Sequence, residues 1–302
     1  MKNFYLITLF MCLSNLQAWA TGSSEKAVYD LIERVTPGYA SQYRLEIIPS
    51  ENGNDIYEVD GDGQKIILRG NNAVSLATAF NWYLKYTCHA HVSWFGNQLE
   101  LPEKLPQPAH KERRIINGKF RVYMNYCTVS YTAAWWNWER WQQELDYMAM
   151  NAINMPLFSV GLDGVWYNTL LRFNFTEEEA RAFLTGPGHS AWQWMQNIQS
   201  YGGPLPKSVI DKHVALGKKI LARQLELGMQ PIQQGFSGYV PRELQKKYPQ
   251  AKISMKRKWC GFDGTAQLDP TDPLFHEMGL AFLEEQDKLF GSYGAYAADP
   301  FH

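Results

Sequence analysis

Aromatic side chains are the excess in this sequence: 11 Trp, 17 Tyr and 15 Phe make up 14% of 302 residues. They are unevenly placed. Tyr123, Tyr126, Tyr131, Trp135, Trp136, Trp138 and Trp141 crowd one segment, and Trp166, Trp192, Trp194 and Trp259 follow in later ones. Asn, Gln, Asp and His lie beside them. A sugar ring asks for that mixture, because its axial C–H face stacks on an aromatic ring while its hydroxyls bond to polar side chains. Trp138 and Trp141, three apart in a helical pattern, read as packing residues. For Trp192 and Trp259, in loops rich in glycine and polar residues, composition leaves packing and sugar contact equally open.

Cleaving a glycosidic bond needs two carboxylates, ~5–5.5 Å apart in the retaining case. Most acidic residues here do not qualify. Glu144, Glu177 to Glu179, Glu226 and Glu284 fall within helical patterns and read as solvated faces. Asp299 alone ends a predicted strand, where it either bonds the loop backbone before Pro300 or supports a site from behind. The residues taken by themselves give a sugar-friendly cleft without a convincing catalytic pair.

Other chemistries lack their signatures. There is no CxxC or HExxH, so a protein-bound metal has no sequence support. There is no glycine-rich phosphate loop, and nothing asks for an organic cofactor. A net charge of −1 gives no electrostatic case for nucleic acid or an anionic membrane as partner. No stretch is apolar for the ~20 residues a membrane span needs. Lys2, the apolar run Phe4 to Leu13 and Ala18-Trp19-Ala20 read as a signal peptide over residues 1–20, cleaved after Ala20. The expectation is a secreted or periplasmic protein. Cys88, Cys127 and Cys260 then remain, too few for a disulfide scaffold though one bridge is open to them.

The elements that must position these residues fall into two patterns. Residues 21–105 alternate helix and strand: a helix over Glu25 to Val35, strands at Tyr43 to Ile48, Asp55 to Val59 and Lys65 to Leu68, a helix from Ala73 to Tyr86 capped by Asn72, and a strand including Val92-Ser93-Trp94. This predicts a small α+β domain. The proline- and charge-rich stretch Leu101 to Arg114 has no periodicity, and residues 106–114 read as a linker. From residue 115 the pattern becomes strand–helix units. Strands are predicted at Phe120 to Asn125, Ala152 to Phe158, Met229 to Gln233 and Ala295 to Ala298. Helices are predicted at Trp136 to Met150, Thr176 to Leu184 behind a capping box, Lys212 to Leu227 and Asp272 to Phe290. Such α/β alternation without a nucleotide motif favours a (β/α)8 barrel, with site residues at the C-terminal strand ends. Residues 115–302 are fewer than the ~250 of a full barrel, so about four strand–helix units are expected, an incomplete barrel.

The run Arg121-Val122-Tyr123-Met124-Asn125-Tyr126-Cys127-Thr128, with Ser130-Tyr131 and Trp135-Trp136, resembles the α-N-acetylglucosaminidases of glycoside hydrolase family 89. The likeness continues in order through Met148 to Asn154, Phe183 to Pro187 with Ala191-Trp192, Gly203 to Pro206, Gly228-Met229, Tyr239 to Pro241, Asp269 to Pro273, and Tyr296 to Asp299 with Phe301. Residues 21–105 also look like that family's small N-terminal domain. The resemblance implies a retaining exo-hydrolase that removes terminal α-linked N-acetylglucosamine from glycans and needs no cofactor. It implies a sugar pocket formed by Asn125, Cys127, Tyr131, Trp192, Trp259 and His302, with Asp299 behind it. His302 stands where other members carry Asn.

The family's acid/base glutamate follows an Asp-x-Phe-Asn stretch. Here that stretch is Asp299-Pro300-Phe301-His302, so the glutamate is expected directly after His302 and no catalytic residue falls within this chain. The expectation is an N-terminal portion of the enzyme, inert by itself. The rival is a non-catalytic carbohydrate-binding protein, against which four strands with two open sheet edges argue.

Overall fold

The computed structural model describes residues 24–298. The predicted signal peptide, Asp299 and His302 lie outside them. The chain forms two compact units. The first takes in the chain up to Val122 with Gln142–Met155 and Arg223–Met229; the second takes in Tyr123–Trp141, Pro156–Ala222 and the chain from Gln230 onward.

In the first unit α1 (24–35) is followed by β1 (Tyr43–Ile47), β2 (Asp55–Gly61), β3 (Ile66–Gly70), α2 (Ala73–Tyr86) and β4 (Glu112–Ile116). The sheet order is β1-β3-β2-β4, parallel between β1 and β3 and antiparallel elsewhere. Asn72 caps α2 as predicted, its side chain accepting from Ser75 N at 2.8 Å. The apolar face of α2 packs on β2 and β3, and Tyr43 meets Phe80 and Tyr83 edge-on at 5.5 and 5.7 Å. Each such aromatic pair contributes about 0.5–1.5 kcal/mol beyond its buried area.

Two expectations fail in this unit. The stretch 106–114 is not a free linker. Tyr83 Oη donates to Pro106 O at 2.8 Å, Gln42 Oε1 accepts from Leu105 N at 2.9 Å, and the chain then runs into edge strand β4. Glu112, Arg113 and Arg114 give this strand its charge, and Lys111 and Arg113 pair with Glu58 of β2 at 2.7 and 2.6 Å. Burial pushes the Glu58 carboxyl up, but those two cations outweigh it and hold it below the usual range. Charged residues blunt an exposed edge against unwanted pairing, and they also erase the apolar alternation by which a strand is read. The predicted strand at Val92–Trp94 does not form. His91 and Gln98 bridge a turn instead, in which Ser93 Oγ donates to Gly96 O at 2.7 Å. Side chains that bond the local backbone displace a ladder.

A buried ion pair also belongs to this unit. Arg34 of α1 donates to both oxygens of Asp146 at 2.8 and 2.7 Å, and Asp146 is 5% exposed. Burial pushes the Asp146 carboxyl above its usual range, and the Arg34 bonds recover only part of that.

The later elements are β5 (Val122–Tyr123), the single turn α3 (Tyr126–Thr128), α4 (Trp138–Met150), β6 (Met155–Pro156), α5 (Leu162–Arg172), α6 (Glu177–Phe183), α7 (Ser190–Trp194), α8 (Lys207–Glu226), β7 (Gln233–Gln234), β8 (Tyr239–Val240), α9 (Leu244–Lys247), β9 (Ile253–Met255), β10 (Ala266–Leu268), α10 (Pro273–Phe290) and β11 (Tyr296–Ala297). Tyr123 O accepts from Leu157 N at 3.0 Å, Leu157 bridges Ile232 in parallel, and β7 pairs with β11 in parallel. The strands thus follow one another as β5-β6-β7-β11, the order of the first strands of an α/β barrel. The predicted incomplete barrel is the fold.

Its strands are shorter than expected. Met124 at φ 69° ends β5, and Ala152 at φ 64° delays β6. Several features went unpredicted: α5, the short helices α3, α7 (which carries Trp192, expected in a loop) and α9, the early start of α8 at Lys207, and the antiparallel sheet β8-β10-β9. Strands of two or three residues are too short to show a period. The core of this unit centres on Trp166, 2% exposed, against Phe282, Phe183 and Tyr239 at 5.0, 5.5 and 5.7 Å. Trp166 is therefore a packing residue. The capping box forms as predicted, with Thr176 and Glu179 bonding each other's backbone N–H. Glu144, expected on a solvated face, is 1% exposed, and Glu284 pairs with Arg172 at 2.7 Å.

Candidate functional site

Every described site candidate lies in the second unit. Asn125 follows β5 and caps α3: its Oδ1 accepts from Thr128 N and from Thr128 Oγ1, both at 3.0 Å. Both bonds use the oxygen. The amide nitrogen of this exposed residue is left to face solvent. Residues Val129–Ala133 continue as one wide π-type turn, a form that concentrates at functional sites. Ser130 in that turn clamps a second segment. Its Oγ accepts from Ala191 N at 2.9 Å and lies 3.5 Å from Pro187 O. The clamp brings Tyr131 against Trp192 edge-on, with ring centroids 5.1 Å apart.

From Trp192 a row of rings continues. His189 lies 6.2 Å from Trp192 and 4.6 Å from Tyr201, and Tyr201 meets Phe262 edge-on at 4.9 Å. Phe262 stacks with Trp259 at 6.3 Å and 24°. Two local devices produce this. Gly186 N donates to Tyr201 O at 2.9 Å, and a Cβ on Gly186 would stand 3.0 Å from Gly202 O, so the two loops approach through glycine. Trp259 and Phe262 exchange backbone bonds at 3.1 and 2.8 Å around Cys260 and Gly261, both at positive φ (49° and 86°). That is the primed two-residue turn of a hairpin, and it places directly opposed side chains on one face. Tyr131, Trp192 and Trp259 are thereby joined in one partly exposed row, with His189, Tyr201 and Phe262 between them. Sequence reasoning missed these three. The paired glycines around them were the available signal.

Polar groups hold the same segments. Gln196, at φ 65°, donates to Ser237 Oγ and accepts from Lys256 Nζ at 3.1 Å, while its carbonyl accepts from Thr265 Oγ1 at 2.7 Å. Gln193 Oε1 accepts from Thr185 N at 2.8 Å and its Nε2 donates to Phe183 O at 2.8 Å. Tyr239 Oη donates to Ile198 O at 2.8 Å, and burial pushes that phenol far up. Cys127 is half-buried, its sulfur 3.8 Å from Met195 Sδ. Cys88, Cys127 and Cys260 are all free thiols.

The buried carboxylates of this unit are already engaged. Asp163 holds His213 Nδ1 at 2.6 Å, Asp272 accepts from Lys252 N and Leu274 N at 2.7 and 2.9 Å, and Glu285 pairs with Lys288 at 2.6 Å. Burial lowers the pKa of His213, but the bond and charge of Asp163 outweigh it and the net shift is upward. Among the described residues no group of three or more His, Cys, Asp or Glu could hold a metal ion. None of their helices is long and apolar enough to cross a membrane. The row sets aromatic rings beside polar side chains, and the buried carboxylates Asp163, Asp272 and Glu285 are each held in structural contacts.

Two family models match the chain. The alpha-N-acetylglucosaminidase (NAGLU) tim-barrel domain matches residues 121–302, and the N-terminal domain of the same family matches 26–107. The chain belongs to the α-N-acetylglucosaminidase family. The human alpha-N-acetylglucosaminidase is 34% identical over 285 residues, 91% of this chain and 38% of that protein. A family 89 glycoside hydrolase from Clostridium perfringens, in complex with 2-acetamido-1,2-dideoxynojirmycin, superposes with a TM-score of 0.91 at 33% identity, over 98% of this chain and 34% of the other. The same bacterial enzyme with two glutamates changed to glutamine is in complex with its substrate GlcNAc-α-1,4-galactose, again at TM-score 0.91. A GH20 β-N-acetylhexosaminidase from Streptomyces coelicolor shares the fold alone, at 11% identity and TM-score 0.51 over 89% of this chain and 51% of that one. This α-N-acetylglucosaminidase-family chain thus spans little more than a third of the length of its human and clostridial relatives.

Proposed function

We propose that this chain supplies sugar-holding walls of a retaining exo-glycosidase that removes terminal α-linked N-acetylglucosamine from glycans. The observation that carries the reading is the ring row from Tyr131 through Trp192 to Trp259, in a chain of this family. A relative sharing the fold at 33% identity is complexed with GlcNAc-α-1,4-galactose. In the proposed reaction a carboxylic acid protonates the glycosidic oxygen, a second carboxylate attacks C1, and water releases the sugar from the covalent intermediate. The residues described here bind and orient: Tyr131, Trp192 and Trp259 offer ring faces, and Asn125 offers an N–H donor. Asp299 and His302, expected at the same site, belong to this proposal.

The test is a titration of the chain with N-acetylglucosamine, followed by tryptophan fluorescence. Saturable binding that weakens on Trp192→Ala and discriminates against glucose supports the reading. A response equal for both sugars, or unaffected by Trp192→Ala, refutes it. We further propose export with removal of residues 1–20. Amino-terminal sequencing of the mature protein should begin at Thr21, and retention of Met1 would overturn this.

A further inference from the structure

The segments that carry the ring row have a second face. Tyr131 is 72% exposed, whereas Val129 and Ala133 in the same turn are 8% and 4% exposed and line a cavity of about 290 Å³. Pro187 and Ser190, flanking His189, line it too. The cavity is therefore separate from the row and shares its supporting walls.

Its chemistry differs from that of a sugar pocket. Trp135, Trp136, Trp141 and Trp194 line it, with aliphatic side chains filling the spaces between. An apolar cavity of ~150 Å³ holds one benzene ring, so this volume admits two fused rings. Its polar groups are few: Ser159, Thr185 and Ser190 offer hydroxyls, and the charged or titratable groups are Asp163 on α5 and Lys212 and His213 on α8. His213 is fixed by Asp163, itself 5% exposed, through Nδ1 at 2.6 Å. With the carboxylate accepting at Nδ1, Nε2 is the ring atom left for a ligand. Lys212 lies beside it, exposed and without an ion-pair partner among the described residues. Asp163 is committed to His213, so the uncommitted charge at the cavity is positive.

We propose that this cavity is a binding site for a bicyclic aromatic carboxylate, with the rings between the tryptophans and the carboxylate against His213 and Lys212. The probe is 2-naphthoate, titrated into the full chain by calorimetry beside its neutral isostere 2-naphthamide. The expected result is saturable one-to-one binding of 2-naphthoate, with the amide about fivefold weaker for want of the ionic contact. Ala133→Leu puts three carbons into the space the rings would take and should weaken binding at least ~tenfold. Lys212→Ala, a surface change that leaves the fold alone, should weaken 2-naphthoate about fivefold and 2-naphthamide not at all. This second variant keeps the test decisive should Ala133→Leu fail to fold. Absence of saturable binding, equal affinity for the two probes, or indifference to Lys212→Ala overturns the proposal. N-acetylglucosamine at saturation should not compete directly, so failure here leaves the sugar site standing.

Discussion

Asn125 has two jobs on two atoms, and a pair of substitutions separates them. Its Oδ1 accepts two bonds from Thr128 at 3.0 Å, which is the cap of α3. Its Nδ2 faces solvent, where the proposal places the sugar. Serine is as good an N-cap as asparagine, so Asn125→Ser retains an oxygen for Thr128 N and deletes only the outward donor. Asn125→Ala deletes both. Losing the cap costs about 1 kcal/mol, or roughly 2–4 °C of melting temperature in a unit of this size. Losing one neutral hydrogen bond to the sugar costs about 0.5–1.5 kcal/mol, or ~2–13-fold in affinity. The donor is exposed in the free protein, so no desolvation penalty adds to that figure. Melting curves and an N-acetylglucosamine titration on the three proteins read out the two terms. Asn125→Ser should melt like the parent and bind like Asn125→Ala. If Asn125→Ser binds as the parent does, Nδ2 does not touch the sugar. If Asn125→Ala melts as the parent does, the cap reading is wrong.

Three further outcomes follow from the geometry. The raised folded pKa of His213 means that the folded state holds its proton more tightly than the unfolded one. Its stabilising contribution is full below the ordinary value near 6.5 and is lost as pH rises through the folded value. Asp163→Asn should flatten that part of the melting-temperature profile, and an unchanged profile contradicts the pairing. Arg34→Ala leaves the buried Asp146 carboxyl only the longer contact to Arg223, at 3.9 Å, and should cost about 3 kcal/mol in urea unfolding, while Arg34→Met with Asp146→Leu should recover most of it; equal losses in both variants contradict the pairing. Gly261→Val places a β-branched residue at φ 86° and should part the Trp259–Phe262 stack. The readout is the near-ultraviolet circular dichroism of the aromatic residues, and an unaltered spectrum speaks against the turn as the device that sets the stack.

Much of the fold was legible residue by residue. Asn72, Thr176, Gly228 and Gly291 marked helix ends because capping and positive φ are local chemistry, needing only a few neighbouring residues. The apolar stripes of α2 and α10 were equally plain. Edge strand β4 was not, because its residues are chosen for solvent and for Glu58 across the sheet. The barrel strands were overextended, because an apolar run says that residues are buried and not where Met124 or Ala152 must turn. In the site, Tyr131, Trp192 and Trp259 drew notice by type and by family resemblance, while His189, Tyr201 and Phe262 carried no mark of their own.

The sequence by itself determined the parts: which stretches wind into helices, where they stop, and that aromatic and amide side chains would gather after the strands. Those follow from periodicity and local hydrogen bonding, which act over a few residues. Only the tertiary structure decided that Ser130 reaches Ala191, that Gly186 meets Gly202, and that rings 128 positions apart in the chain join into one row. It also decided that the same two segments wall a cavity on their other face. Such contacts depend on long-range packing, whose energy is spread over many side chains and written in none of them singly.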